Sequence, residues 1–137
     1  MMQANDLRLT FNRGTPIENP ALRGISLNIA EGEFVTVIGT NGAGKSTFLN
    51  AVSGTTRVDS GSILLNGIDV TKKTAHQRAH WVARVFQDPM AGTCEALTIE
   101  ENLALAYKRG TRRGLSFALN NKNRDLFREK LSILKLG

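Results

Sequence analysis

Apolar and polar residues alternate at two places near the start of the chain. Residues 7–11 and residues 25–29 both carry an apolar side chain at every second position. A period of two is typical of a β-strand with one face buried and one face exposed. Residues 12–16 lie between them and contain Asn, Gly and Pro, which favour a turn. The pattern therefore predicts two half-buried strands joined by a loop.

A nearly continuous apolar run follows at residues 34–38, between a Glu-Gly turn and a glycine-rich stretch. Such a run is typical of a strand that is buried on both faces, as in a parallel sheet. After the glycines, Leu49 and Val52 have the spacing of a helix face that points inward. The predicted order is a buried strand, a glycine-rich loop and a helix.

Six further elements are predicted downstream. Residues 61–65 and 68–70 read as strands joined by the hairpin signal Asn66-Gly67, and residues 74–80 as a short helix. Residues 81–86 predict another strand. Thr98 and Glu101 form a capping box at the start of a helix over residues 99–108. A last helix is predicted over residues 125–136, whereas residues 110–121 show no clear pattern.

Composition places the chain among ordinary globular proteins, with 41% hydrophobic and 22% charged residues. No apolar run approaches the ~20 residues of a membrane helix. The start of the chain shows no signal-peptide pattern, so we expect a cytosolic location. The single cysteine, Cys94, excludes an internal disulfide within these 137 residues.

The net charge of +6 is unevenly distributed. Nine of the 18 basic residues fall in the last thirty positions: Lys108, Arg109, Arg112, Arg113, Lys122, Arg124, Arg128, Lys130 and Lys135. A basic block can bind nucleic acid or an anionic membrane surface. Phe117 and Phe127 are the only aromatics there, too few for a base-stacking platform. We favour a solvated helix face near lipid headgroups and expect no nucleic-acid partner.

Residues 39–46 match the pattern G-x-x-x-x-G-K-[ST] at every fixed position. Glycines allow the backbone to approach phosphates, and successive N–H groups at a helix N-terminus bind anionic oxygens. Lys45 supplies a positive charge at the β- and γ-phosphates, and the Ser46 hydroxyl is a ligand for Mg²⁺. The candidate nucleotide-binding residues here are Gly39, Thr40, Asn41, Gly42, Ala43, Gly44, Lys45, Ser46 and Thr47. A chance match is the alternative, and the predicted strand before the loop and helix after it argue against one.

Three stretches together resemble the ATP-binding subunits of ABC transporters. These are residues 22–34 running into the phosphate loop, residues 59–67, and residues 85–89, which match the family's glutamine loop. Residues 11–15, 87–93 and 98–103 also resemble bacterial importer ATPases that serve small solutes. The resemblance implies an α/β P-loop NTPase fold of the ABC type, with an N-terminal antiparallel part and the start of a helical subdomain. We expect a nucleotide-binding core at residues 1–89 and the helical part at residues 90–137.

The resemblance also implies roles for individual residues. Phe11 matches an aromatic ring that stacks on adenine, and Gln87 matches a glutamine that reaches Mg²⁺ or the attacking water. Lys45 and Gln87 are thus the expected catalytic residues, and Ser46 and Gln87 the expected metal ligands. The alternatives are that Phe11 is a core residue of an edge strand and that Gln87 is an ordinary surface residue.

The resemblance also implies which partners the protein has. A family member works at the cytoplasmic face of the membrane with a permease, a second ATP-binding subunit and, indirectly, a substrate-binding protein. We expect residues 90–105 to dock on the permease; the alternative is an ordinary surface loop.

Several family motifs are not found in these 137 residues. They are the signature Leu-Ser-Gly-Gly-Gln, the strand ending in Asp-Glu, and the later switch histidine. We therefore expect the chain to be part of a longer ATPase and to be inactive by itself. The alternatives are a non-transport ABC ATPase of DNA repair or translation, and a nucleotide-binding module without catalysis. A kinase or GTPase is disfavoured, because no Asn-Lys-x-Asp motif occurs.

Overall fold

The computed structural model describes residues 1–110 and 119–135. Contacts divide the chain into two compact units, Met1–Val82 and Ala83–Gly137. The first unit contains the strands β1 (Met2–Phe11), β2 (Asn19–Ile29), β3 (Ser60–Leu65) and β4 (Ile68–Asp69), with the helices α1 (Lys45–Ser53) and α2 (Ala75–Arg78). The second contains a 3₁₀ turn (Pro89–Gly92) and the helices α3 (Ile99–Tyr107) and α4 (Asn121–Ser132). The functional division at residue 89 stays a prediction.

The strands of the first unit form one antiparallel sheet in the order β2-β1-β3-β4. The two alternating segments predicted as strands are β1 and β2, and β1 begins earlier than its pattern indicated, at Met2. The predicted hairpin is also confirmed. Asn66 and Gly67 both have positive φ angles, 49° and 78°, as the favoured two-residue hairpin turn requires. The expected antiparallel β part is therefore present.

The central strand β1 contains a bulge that the sequence pattern did not reveal. Asp6 has a φ of 44°, and the pairing with both neighbours shifts around it. A Cβ on Gly61 of β3 would lie 2.5 Å from the carbonyl oxygens of Asn5 and Asp6. The neighbouring strand can follow the bulge only because this position has no side chain.

The core of the first unit lies between the sheet and α1. Its buried residues are Ala4, Leu7, Leu9, Leu22, Phe48, Ala51, Ile63, Leu65 and Val70. The helix packs on the sheet through Phe48 and Ala51, and Val52 is partly buried. The prediction that Leu49 points inward is wrong, because half of it is exposed. The prediction had Leu49 and Val52 facing the core, whereas Phe48 and Ala51 do so. The helix is therefore rotated about its axis by about one residue relative to the prediction.

Two predicted strands are not strands in this structure. Within the described residues, the segments 34–38 and 81–86 pair with no other strand. Phe34 and Ile38 are 91% and 89% exposed, so the predicted burial on both faces is wrong as well. The physical reason is that an apolar run indicates suitability for burial, whereas a strand also needs a hydrogen-bonded neighbour. The described strands supply neither segment with one.

The second unit contains the two predicted helices with shifted bounds. Thr98 and Glu101 form the predicted capping box of α3. α4 begins before the predicted residue 125, because the Asn120 side chain accepts a hydrogen bond from the backbone N–H of Asn123. It ends at Ser132, whereas the predicted helix ended at Leu136. Leu136 lies outside the described residues, as do Arg112, Arg113, Phe117 and Gly137.

The helices α3 and α4 contact each other in two places. The rings of Tyr107 and Phe127 meet edge to face with their centroids 6.0 Å apart. Arg124 forms an ion pair with Glu100, so at least one residue of the basic block is engaged within the protein. In the part of the chain that the structure describes, every helix is too short or too polar to cross a bilayer.

Candidate functional site

The glycine-rich loop leads directly into α1. Gly44 is the N-terminal cap of the helix, and its carbonyl accepts a hydrogen bond of 2.8 Å from the N–H of Phe48. Gly42 and Gly44 have φ angles of 83° and 86°, in the left-handed region that glycine tolerates. The helix has no acidic residue in its first turn. Its free N–H groups and its dipole therefore favour an anion at this end.

Gly44 also has a packing reason to be glycine. A Cβ there would lie 2.6 Å from the carbonyl oxygen of Ala21 and 3.5 Å from a methyl group of Leu22, both in β2. The start of α1 is thus in close contact with the sheet. This contact fixes the end of the loop against β2.

Lys45 reaches back across the loop. Its Nζ donates hydrogen bonds to the carbonyl oxygens of Gly39 (2.7 Å) and Thr40 (2.8 Å). An ammonium group has three N–H donors, so a third remains for a phosphate oxygen. The lysine thus joins the end of the loop to its start.

Ser46 and Thr47 lie in the first turn of α1. Ser46 is exposed and Thr47 is half-buried. No described residue forms a hydrogen bond with the Ser46 hydroxyl, so its oxygen can coordinate a cation. A hydroxyl oxygen beside bound phosphates suits Mg²⁺, which takes one or two protein oxygens together with phosphate oxygens and water. The residues present at the loop fit the expected metal.

Phe11 is the last residue of β1, a central strand of the sheet. Its side chain is 40% exposed and is not part of the hydrophobic core. The alternative that it is a core residue of an edge strand is therefore wrong on both counts. An accessible ring at a strand end is compatible with stacking on a base. That role stays a prediction.

Gln87 is exposed and lies in the second unit, at the start of the segment with the 3₁₀ turn. The adjacent Asp88 accepts a hydrogen bond from the N–H of Met90 (2.9 Å) and so caps that turn. The roles assigned to Gln87, as a metal ligand and as a catalytic residue, stay predictions.

Asn102 of α3 braces the loop that precedes its own helix. Its Oδ1 accepts a hydrogen bond from the N–H of Cys94 (2.9 Å). Its amide nitrogen lies 3.0–3.1 Å from the carbonyl oxygens of Cys94, Leu97 and Thr98 and shares its two N–H donors among them. Sequence reasoning grouped Asn102 with the family motif but assigned it no contact. The brace gives residues 94–98 a defined shape.

The capping box adds an electrostatic constraint to the same region. Hydrogen bonds from the Thr98 backbone N–H, and next from its hydroxyl, lower the pKa of the Glu101 carboxyl. The cap is therefore intact while this carboxyl is ionised, and it weakens only as acid protonates it.

Sequence reasoning missed one buried charged residue altogether. Arg78 is the largest fully buried side chain among the described residues, at 1% exposure. A single arginine in a short polar helix carries no periodic signal, so nothing in the pattern of residues 74–80 marked it. Its contacts become visible only in three dimensions.

Comparison with known proteins places these features in a context. A profile of the ABC transporter family matches residues 22–135. The chain is 40% identical over 126 residues to the tyrosine transport ATP-binding protein of Clostridioides difficile strain R20291, covering 92% of this chain and 50% of that protein. It is 34% identical over 111 residues to the energy-coupling factor transporter ATP-binding protein EcfA2 of Ligilactobacillus salivarius, covering 78% of this chain and 38% of that protein.

Solved structures agree with the sequence relatives. The dimeric structure of MJ0796, a bacterial ABC transporter cassette, superposes with a TM-score of 0.80 at 27% identity, over 100% of this chain and 58% of that one. A post-hydrolysis state of the same cassette, bound to ADP and Pi, gives a TM-score of 0.78 at 26% identity, with the same coverage. The chain spans about half the length of the relatives and structures that it matches.

Proposed function

The chain belongs to the ABC transporter family, and from this premise we propose that it binds ATP with Mg²⁺ as part of a subunit that hydrolyses ATP to power solute transport. The family membership and the ABC ATPase fold expected from the motifs are confirmed. The nucleotide, the metal, the solute and the partners of the whole protein are proposals.

The observation that carries the proposal is the phosphate loop at residues 39–46. The loop contains two left-handed glycines, lies at the N-terminus of α1 and is bridged by the Lys45 ammonium group, and these features favour an anion. A solved relative of the same fold carries ADP and Pi. The loop contacts the phosphates and not the base, and a stacked aromatic ring distinguishes little between bases. We therefore expect only a weak preference for ATP over GTP.

The loop residues, Phe11 and Gln87 each have a proposed role. The backbone N–H groups of residues 40–47 bind phosphate oxygens, and Lys45 neutralises charge at the β- and γ-phosphates. Ser46 holds Mg²⁺, which supplies charge neutralisation at the same phosphates. The proposal that Gln87 is a further metal ligand rests on the family's glutamine loop alone. Phe11 stacks on the adenine ring. Gln87 additionally orients the water that attacks the γ-phosphate.

The proposed partners follow from the relatives. Structures of the similar cassette are dimeric, so we propose that two ATP-binding subunits pair in the complete protein. The subunit docks on a permease at the cytoplasmic face of the membrane, and a binding protein supplies the solute. One relative is named for tyrosine transport, which makes amino acids the first class of small solute to test. The relatives reported above give no support to a role in DNA repair or translation.

Hydrolysis by the whole protein tests the proposed function. We expect the whole protein to release phosphate from Mg²⁺-ATP, at a rate in the common enzyme range of about 1–10³ s⁻¹ once its partners are present. The 137-residue chain should bind Mg²⁺-ATP in calorimetry but release no phosphate, because the family's catalytic glutamate and signature motif are not among its residues. Phosphate release by the chain alone, abolished by Lys45→Ala, would contradict the expected inactivity. Failure of the whole protein to bind ATP would overturn the proposal.

The docking surface is proposed at residues 90–105. Met90, Ile99 and Leu105 expose 52%, 70% and 47% of their apolar side chains there. The Asn102 brace and the Thr98 cap hold residues 94–98 in one shape. An exposed apolar surface on a braced loop is suited to docking on a partner protein.

Cys94 allows this surface to be tested directly, because it is exposed and is the only cysteine of the chain. We expect a thiol cross-linker on Cys94 to capture the permease in the assembled transporter. The matched control is Glu31→Cys in a Cys94→Ala background, which moves the single thiol to an exposed turn of the first unit. Equal capture of the permease from both positions would contradict the surface assignment. So would a failure to capture it from Cys94 and from several cysteines engineered at neighbouring positions.

A further inference from the structure

Arg78 is bonded entirely to backbone carbonyls. Its Nη1 donates to the carbonyls of Ala51 (2.7 Å) and Val52 (2.8 Å), at the C-terminal end of α1. Its Nε donates to Lys73 (2.9 Å) and its Nη2 to Thr71 (3.0 Å). One guanidinium thus joins the end of α1 to the segment between β4 and α2.

This arrangement differs from an ordinary buried ion pair. All four acceptors are neutral carbonyls, and burial lowers the pKa of the guanidinium, while the charge of Asp69 acts in the opposite direction. A guanidinium remains charged even so. Its positive charge lies at the C-terminus of α1, where the helix dipole is negative and the last carbonyls lack helical partners.

Gly54 makes room for this side chain. It ends α1 with a φ of 79°. A Cβ there would lie 2.9 Å from Nε of Arg78, 3.0 Å from its Cδ and 3.0 Å from the backbone nitrogen of Ala75. The glycine that terminates the helix and the arginine that binds its carbonyls are therefore fitted to each other.

The opposite end of α1 is the phosphate loop, only nine residues away. We propose that Arg78 is a positioning residue for nucleotide binding: it anchors the C-terminus of α1 and so sets the direction in which the helix N-terminus presents Lys45 and the loop N–H groups. This inference rests on the proposed function of the loop. The Gly44 contact with Ala21 holds one end of α1 against the sheet, and Arg78 holds the other, so the axis of the helix is defined by both.

The test is the affinity of the whole protein for Mg²⁺-ATP, measured by displacement of a fluorescent nucleotide. Arg78→Lys keeps the charge, but a single ammonium cannot reproduce the fork that reaches carbonyls on two sides. We expect this variant to lower the affinity for ATP about tenfold. That is the lower end of the loss seen when a residue that orients a binding group, without itself touching the ligand, is replaced. Gly54→Ala should do the same, because its methyl group displaces the guanidinium stem.

Two variants control for general destabilisation. Ile63→Ala removes buried methyl groups from the same core and leaves the four Arg78 bonds in place. Gly67→Ala places a methyl group at a similar φ of 78° with no atom within 4 Å. All variants are compared at a temperature where circular dichroism shows them folded. Both controls should bind ATP as the parent protein does, and hydrogen exchange over residues 44–53 should quicken only in Arg78→Lys and Gly54→Ala.

The outcomes separate the two proposals. If Lys45→Ala binds ATP as tightly as the parent protein, the proposed function itself fails. If Lys45→Ala weakens ATP but Arg78→Lys does not, only the positioning role of Arg78 is overturned. An equal loss in Ile63→Ala also overturns it, since general destabilisation then accounts for the effect. Loss confined to Arg78→Lys and Gly54→Ala supports it.

Discussion

Lys45→Ala is expected to lower the affinity for Mg²⁺-ATP by roughly two orders of magnitude. Truncating one partner of a hydrogen-bonded charge pair costs about 2–5 kcal/mol, which corresponds to about 30-fold to several thousand-fold in affinity. The lysine also bonds to Gly39 and Thr40, so its removal releases the loop as well as the charge. Both effects act on the phosphates, and the loss should be similar for ATP and GTP.

Calorimetric titration of each nucleotide measures this effect. Lys72→Ala is the matched control, because it removes the same charge from an exposed position of the first unit outside the loop. We expect Lys72→Ala to bind ATP as the parent protein does. An affinity in Lys45→Ala within a few-fold of the parent value would mean that residues 39–46 are not the phosphate site.

Gly44→Ala should disrupt the loop even though it adds only one methyl group. The residue would be held in the left-handed region, at a cost of about 1–2 kcal/mol. Its Cβ would also overlap the Ala21 carbonyl, at 2.6 Å, and overpacking of this kind typically adds about 1–3 kcal/mol. The start of α1 must then move away from β2, and the N–H groups that bind phosphate move with it. We expect a large loss of stability together with a loss of ATP binding.

Gly32→Ala provides the comparison for this variant. Gly32 has a φ of 75°, and a Cβ there would meet no atom within 4 Å. It should lose only the conformational part, about 1–2 kcal/mol, and keep its ATP affinity. Thermal unfolding and nucleotide titration of the pair give both quantities. Equal losses in the two variants would show that the contact between Gly44 and β2 does not support the loop.

Features that depend on neighbouring residues along the chain were predictable from sequence. The Asn66-Gly67 turn and the Thr98–Glu101 cap formed as expected, because their backbone angles and hydrogen bonds are local. The phosphate loop belongs to the same class. The chemistry proposed for it is carried by glycines and N–H groups within eight residues, so a motif alone predicts it. The alternation in β1 and β2 likewise indicated which face is buried.

Features that depend on distant partners were not predictable in the same way. The apolar segments 34–38 and 81–86 have the composition of strands, but pairing is decided by which segment lies alongside, and no described strand does. The bulge at Asp6 required a glycine on a neighbouring strand, Gly61, whose need for close approach is invisible in its own local sequence.

The sequence by itself determined the family and the local turns and caps of this protein, and it located the phosphate site that we propose. Tertiary structure alone decided that Gly44 lies against β2 and that Arg78 binds the far end of α1. The physical reason is the range of the interactions. A loop that binds phosphate needs only its own backbone, whereas the direction of a helix is set by contacts at both its ends, with residues separated from it by more than twenty positions in the chain.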